Sequence, residues 1–473
     1  MLAVVTMSIM AKISQTHERF LMWISVGLIT VIAFETLAVN TAMPTVVKSL
    51  DGQNLYALAM GVVMATQLMT TALAGPWSDH KSPQTCLYTG VVLFATGLVM
   101  CTAAQDMTFF VCGRAIQGLG GGLCVVPLYT LVGSSVRSSL QPAFFAAFAV
   151  AWVLPSLVGP AISGFIVEHA SWRIVFGIVP LVLLLAAPSL VSITRKIPHE
   201  ASPADGSRIR LTIGCAIAAG IGAAALQVIS GSQPESFGPT VYVAIAMLAV
   251  WTFAFARPLL PPGTSVARRG LPATVLLRGI INGTFIGVET FLPLLLQDIH
   301  GWRPFQAGLV LTVGSVTWAL GSAVQGRLSG PVWRARIPMI GTALQTIGIA
   351  LTIAGAFSEV SGLVILSAWT ISGLGIGLNY PAMTVHGLAM SAPTNHGRTS
   401  SSLQIADTLG ASLAVAAAGI TYAVILPAQS PAFAAAIGLM ALLIFSGFLM
   451  SGRTQPVAGT KEAARLEASF AEE

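Results

Sequence analysis

Charge is what this sequence has least of. Only 8% of its 473 residues are Asp, Glu, Lys or Arg, against about 25% in soluble domains, whose surfaces must face water. A chain so poor in charge cannot cover a water-facing exterior. Its mean hydropathy of +0.82 points to lipid as the surrounding medium. Metal and redox patterns are missing as well. The seven histidines (His17, His80, His169, His199, His300, His386 and His396) stand singly and form no HExxH pair. The five cysteines (Cys86, Cys101, Cys112, Cys124 and Cys215) have no CxxC spacing and read as small buried hydrophobes. No metal, cofactor or enzymatic site is expected. The net charge of +6 comes from basic residues scattered between apolar runs. Without a basic stripe interleaved with aromatics, nucleic acid is excluded as a partner. The opening MLAVVTMSIMA is apolar but too short to span, and no basic stretch precedes it, so no cleaved signal peptide is expected.

What the sequence does have is long apolar runs. A helix needs about 20 apolar residues to cross ~30 Å of hydrocarbon. Fourteen runs qualify, near 20–43, 54–77, 85–104, 108–133, 142–167, 174–193, 211–230, 239–256, 272–297, 306–327, 337–357, 361–386, 401–426 and 431–451. An all-α membrane protein follows, with both termini on one side. Lys and Arg fix which side, because cytoplasmic loops hold their excess. Eighteen of the 23 basic residues fall in the loops that share a side with the termini, and only Lys48, Arg173 and Arg303 lie in the others. The expected topology is multi-pass in the cytoplasmic (cell inner) membrane with both termini cytoplasmic. Charged loops at 194–210 and 257–270 divide the chain. The expected organisation is a cytoplasmic N-terminus (1–19), a six-helix bundle (20–193), a linker with two extra spans (194–270), a second six-helix bundle (271–451) and a polar tail (452–473). A weak repeat relates the bundles: Phe34-Glu35-Thr36-Leu37 in the first span and Val288-Glu289-Thr290-Phe291 in the ninth. Such repeats are the common plan of secondary transporters, with sites near the midplane.

Five charged residues fall inside spans: Glu35, Arg114, Glu289, Asp407 and, near a helix start, Arg278. Each costs at least ~2.5–3.5 kcal/mol at mid-membrane, so each should face the bundle interior or a wet cavity. Arg278 lies close enough to the inner surface to snorkel there instead. At 1.5 Å per residue, Glu35 lies about 22 Å and Arg114 about 21 Å above the inner face, with Glu289 near the same level and Asp407 lower, at about 10 Å. Glu35, Arg114 and Glu289 share a layer, where an exchanging pair or triad, or a static ion pair, is possible. In low dielectric a carboxylate favours its protonated form, and a nearby cation favours the ionised one. Alternation between those surroundings carries a proton across.

Several runs then resemble the major facilitator superfamily, in its fourteen-helix drug:proton antiporter branch. Gly75-Pro76-Trp77-Ser78-Asp79 is similar to the family's loop signature between helices two and three. Arg114, Gln117, Gly118 and Gly120 resemble its fourth-helix motif, and Pro155, Gly159-Pro160 and Ser163-Gly164 its antiporter motif. Trp172-Arg173, with Phe176 and Pro180, looks like the start of the sixth helix. Phe291-Leu292-Pro293, Gln297, Gly301, Ala307-Gly308 and Gly326-Arg327-Leu328 continue the likeness into the second half. Departures are also present. Glu35 stands where aspartate is usual, His80-Lys81-Ser82-Pro83-Gln84 replaces the loop's arginines and glycine, Gly330 replaces an acid, and Asp407 replaces an uncharged or basic residue.

The resemblance implies a major facilitator fold of two six-helix bundles with two extra central helices. It implies a proton-coupled antiporter exporting amphipathic small molecules or drugs by alternating access, with proton and bilayer as its other partners and a monomer as its form. The rival readings are a dedicated exporter of one lipid, peptide or metabolite, or, from another class, a membrane-embedded enzyme or receptor. Glu35, Arg114, Glu289 and Asp407 are the candidate proton-coupling residues. Gly75, Asp79, Gly159, Pro160 and Gly164 are candidate gating positions. Asn40, Gln117, Trp152, Asn282, Asn379 and Gln404 are candidate substrate contacts, with Trp318 and Tyr380 as further aromatic walls or plain packing.

Overall fold

The computed structural model describes residues 16–136, 141–195, 197, 206–231, 238–328, 331–391, 396–426, 428–460 and 462–464. Among the described residues there are fifteen α-helices: α1 (Thr16–Ser49), α2 (Tyr56–His80), α3 (Pro83–Ala103), α4 (Met107–Gly122), α5 (Val125–Ser135), α6 (Gln141–His169), α7 (Trp172–Thr194), α8 (Gly206–Ser230), α9 (Pro239–Ala256), α10 (Leu271–Asp298), α11 (Pro304–Gln325), α12 (Pro331–Ala354), α13 (Leu363–Met390), α14 (His396–Ile425) and α15 (Gln429–Met450). Among the described residues, thirteen spans are long and apolar enough to cross a membrane. Helix α6 runs over the one expected span not among these thirteen, 142–167. The fold is all-helical, as the apolar runs require: without water, a backbone must satisfy its own N–H and C=O groups within the segment.

One expected span is not a continuous helix. Residues 107–132 bend at Leu123-Cys124, where Leu123 N–H donates to Gly120 C=O at 3.0 Å and Cys124 N–H to Gly121 C=O at 3.3 Å. These tighter i→i−3 bonds divide the span into α4 and α5. The glycines before the break serve close packing. A Cβ on Gly120 would meet the backbone amide of Phe94 on α3, and one on Gly118 or Gly122 would meet α2 at Thr66 or Thr70.

The two halves repeat one packing plan. In the first, α1 lies on α6 and α7, α2 on α4, and α3 on α4 and α7. In the second, α10 lies on α14 and α15, α11 on α13, and α12 on α13 and α15. The halves meet along α6–α11 and α2–α14, while α8 packs on both α2 and α14 and carries α9. Gln227 of α8 is fully buried at that seam, where its amide donates to the Ser412 carbonyl at 2.7 Å. The described part of the tail packs against the second half. Ser451 and Thr454 are buried, Gly270 N–H donates to Arg453 C=O at 2.9 Å, and the Glu462 carboxylate accepts from Leu271 N–H at 3.4 Å. The segment thereby caps the start of α10, which Gly270 enters at φ 89°, a backbone conformation that favours glycine.

Candidate functional site

Helices α1 and α4 bring the first expected pair together. Arg114 Nη1 lies 2.8 Å from Glu35 Oε1, with both side chains at most 5% exposed. The same nitrogen donates to Gln117 Oε1 at 2.6 Å, and Arg114 Nε donates to the Ala59 carbonyl of α2 at 3.3 Å. Gln117, one turn along α4, thus steadies the guanidinium. Its own Nε2 lacks a partner.

Glu289 is not part of this cluster. It is 4% exposed on α10, and among the described residues it makes no hydrogen bond or ion pair. The triad reduces to a pair: Arg114 donates to Glu35, Gln117 and the Ala59 carbonyl, and Glu289 is not among these partners.

A second buried pair forms where the sequence offered separate residues. Arg278 does not snorkel. Its Nε and Nη2 donate to Asp407 Oδ1 and Oδ2, both at 2.8 Å, and Nη1 donates to Tyr380 C=O at 2.9 Å and Thr384 Oγ1 at 2.5 Å. The Tyr380 hydroxyl donates to Asp407 Oδ2 at 2.9 Å, and the guanidinium lies 3.5 Å from that tyrosine's ring centroid. Two parallel bonds plus a ring face make the strongest geometry a guanidinium finds. Asn282 donates to the Asp407 backbone carbonyl at 3.1 Å, which locks α10 to α14 beside the pair.

The remaining expected residues scatter. Asn379 is fully buried and faces α12. With its amide oriented to satisfy both neighbours, it donates to Ile337 C=O at 3.1 Å and accepts from Thr342 N–H at 2.8 Å, so it joins two helices. Asn40 is buried, whereas Trp152 and Gln404 are exposed. Trp318 and Tyr380 do meet, at 5.3 Å between centroids.

Of the gating positions, Gly164 and Pro160 lie at the crossing of the halves. A Cβ on Gly164 would fall 2.7 Å from the Phe305 Cα, and one on Gly308 would strike the Pro160 carbonyl. Gly159 has only ordinary contacts, at 3.6 Å from Phe34, and Gly75 faces open space. The Asp79 side chain lies outside the described residues.

Polar contacts between the halves gather at one end of the molecule, away from the termini. Tyr56 donates to the Thr290 carbonyl, Lys48 pairs with Asp298 at 2.6 Å, and Arg303 pairs with Glu168 at 3.3 Å.

The sequence matches the Major Facilitator Superfamily over residues 24–415. It is 25% identical over 466 residues to the multidrug transporter protein MdtP of Bacillus subtilis, covering 90% of this chain and 82% of that one. It is 24% identical over 395 residues to multidrug resistance protein 3 of the same organism, covering 81% and 75%. Among solved structures it superposes on an auto-inhibited POT family peptide transporter with a TM-score of 0.68 at 14% identity, covering 91% of this chain and 95% of that one. The same holds for an inward-facing, unoccupied bacterial homologue of the human lysosomal transporter Spinster, with a TM-score of 0.63 at 15% identity, covering 97% and 96%. The fold, the span count and these relatives agree: the chain is not an enzyme but a membrane transporter, and it belongs to the Major Facilitator Superfamily.

Proposed function

We propose that the chain is a proton-coupled exporter of amphipathic small molecules, working as a monomer in the cytoplasmic membrane. The observation that carries this reading is the buried Glu35–Arg114 pair, held at 2.8 Å on two helices of one half. Arginine does not titrate in this setting. The glutamate can therefore be either ionised on Arg114 or protonated and released from it, and each change of partner is a change of proton count. A pair buried in low dielectric responds strongly to loss of one charge. Protonation of Glu35 would free the α1–α4 contact to rearrange as the halves rock.

With the termini cytoplasmic, as the Lys and Arg distribution predicts, the three polar contacts between the halves close the outer end. The described arrangement is then a member of an alternating cycle with its outer end closed. Pro160 and Gly164 supply the smooth crossing against α11 along which the halves pivot, and Asp79 with Gly75 would form the inner gate. The names of the Bacillus relatives favour drug-like substrates over a single metabolite.

The test is transport in vesicles loaded with a pH-sensitive dye. Substrate addition should move protons with the native chain and fail to do so with Glu35→Gln, which keeps the side-chain shape and removes the charge. Proton-driven accumulation of substrate by Glu35→Gln would remove Glu35 from the mechanism.

A further inference from the structure

The three polar contacts between the halves differ in what surrounds them. Lys48 is 45% exposed in its pair with Asp298, and Arg303 is 76% exposed in its pair with Glu168. Exposed pairs contribute little, because water and salt screen them and two long side chains must be ordered. The contact of Tyr56 with Thr290 is buried on both sides. The Tyr56 ring also meets Phe291 of α10 at 5.8 Å between centroids, and Phe291 meets Tyr422 of α14 at 5.5 Å. Tyr422 in turn meets Phe433 of α15 at 4.9 Å. Parting the halves here strips the hydroxyl from a buried carbonyl and the Tyr56 ring from its aromatic neighbour. The closure at this end therefore depends more on Tyr56 than on the two ion pairs.

Tyr56 is the first residue of α2, and the turn it starts has a second tie. Three residues on, the Ala59 carbonyl accepts from Arg114 Nε at 3.3 Å. Arg114 Nη1 is held by Glu35 at 2.8 Å and by Gln117 at 2.6 Å. A guanidinium is planar and rigid, so the groups that fix Nη1 also fix where Nε points. Between these two ties the same turn lies against α14, since a Cβ on Gly419 would fall 2.5 Å from that of Ala57. Residues 56–59 thus touch the ion pair of the first half on one side and the second half on the other.

We propose that this first turn of α2 couples the Glu35–Arg114 pair to closure of the outer end, with Tyr56 as the latch. With the pair formed, Arg114 holds the turn through Ala59, and the turn holds Tyr56 on Thr290. With the pair broken, the guanidinium loses the acceptor that orients it, the turn is released and the latch loosens. One element whose position both sites bias is the physical requirement for coupling. That protonation breaks the pair in a working cycle rests on the proton-coupled reading, but the coupling itself does not.

The test is single-molecule energy transfer in the purified full-length protein in lipid nanodiscs, read as the ratio of open to closed time. Dyes are carried by Gln105→Cys and Ser358→Cys, exposed in the α3–α4 and α12–α13 loops at that end, with the exposed Cys112 replaced by Ala. Tyr56→Phe keeps the ring and removes the hydroxyl. It should raise the ratio about tenfold, the scale of one buried carbonyl left unpaired. Glu35→Gln should raise it at least about fivefold. In the Tyr56→Phe background, Glu35→Gln should change it by less than about twofold, because the turn has lost its hold on the other half. Gln117→Met removes the other acceptor of Nη1 and leaves both charges. It should act as Glu35→Gln does, more weakly, and it decides if Glu35→Gln does not fold. Arg303→Gln should stay within about twofold of the native protein.

Effects of Tyr56→Phe and Glu35→Gln that multiply in the double variant overturn the proposal, as does a native ratio in folded Glu35→Gln. Arg303→Gln opening the protein more than Tyr56→Phe would move the closure to the exposed pairs, and overturns it too. The ratios are read without substrate or proton gradient, so the vesicle assay judges the proton-coupled reading separately.

Discussion

The Arg278–Asp407 pair allows an energetic prediction that does not depend on transport. Removing one member of a buried, hydrogen-bonded ion pair costs about 3–5 kcal/mol, because the other charge is left uncompensated, whereas replacing both with apolar residues of similar volume is often neutral. Asp407→Leu strands a guanidinium that cannot shed its proton. It keeps Thr384, the Tyr380 carbonyl and the Tyr380 ring, whose cation–ring attraction recovers up to about 2 kcal/mol. The expected loss is therefore near the low end, about 3 kcal/mol, and should not change with pH. Arg278→Met strands a carboxylate that retains the Tyr380 hydroxyl alone but can take up a proton, so its loss should shrink as pH falls. The double variant Arg278→Met with Asp407→Leu should lose less than either single one, about 1 kcal/mol. Reversible unfolding in mixed micelles, followed by tryptophan fluorescence at pH 5 and pH 8, measures all three. Trp318, 5.3 Å from Tyr380, reports on the site directly. Additive losses in the double variant would refute the reasoning, since additivity means the two charges do not compensate each other.

Other expectations follow from the packing. Gly120→Ala should sharply reduce the yield of monodisperse protein on fluorescence-detected gel filtration, because its Cβ meets the Phe94 backbone, while Gly121→Ala (3.8 Å from the Phe94 ring) and Gly75→Ala (open space) should be tolerated. Cysteines at 48 and 298, where Lys48 now meets Asp298 at 2.6 Å, should link through a short bis-maleimide, and linking should arrest transport by holding the halves together at that end. Cysteine at Val266, which is 70% exposed in the 257–270 loop, should react with an impermeant maleimide only from the cytoplasmic side, whereas cysteine at exposed Asp51 should react only from outside. Reaction of both from one side would break the topology.

The helical spans and the shared depth of Glu35 and Arg114 are legible because each follows from distance along the chain, whereas the choice of the pair over the triad with Glu289 is not. Apolar length fixes a span, and a helical rise of 1.5 Å per residue fixes depth. Arg278–Asp407 was not legible. Depth placed both residues in the inner part of the second half, but the choice between snorkelling and pairing depends on which faces of α10 and α14 meet, and these residues are 129 positions apart. The bend at Leu123-Cys124 was hidden because its cause is a glycine run, which marks close packing and a weak helix equally. Asn379 was expected to face substrate on its polarity alone, and only the approach of α12 at Gly341 explains where its amide points.

The capping of α10 by the chain's last described turn has a consequence for biogenesis. The first backbone amides of a helix have no partner within the helix. For α10, Gly270 and Leu271 find theirs at Arg453 and Glu462, the latter 191 residues further on. The helix that opens the second half must therefore be made and inserted with its leading end open, and that end is closed only once residues 453 and 462 have been made. Until then, the nascent second half has a loose inner terminus at the junction with the 257–270 loop. A truncation or a fusion near residue 453 would be felt first there, at the root of the helix that carries both Arg278 and Glu289.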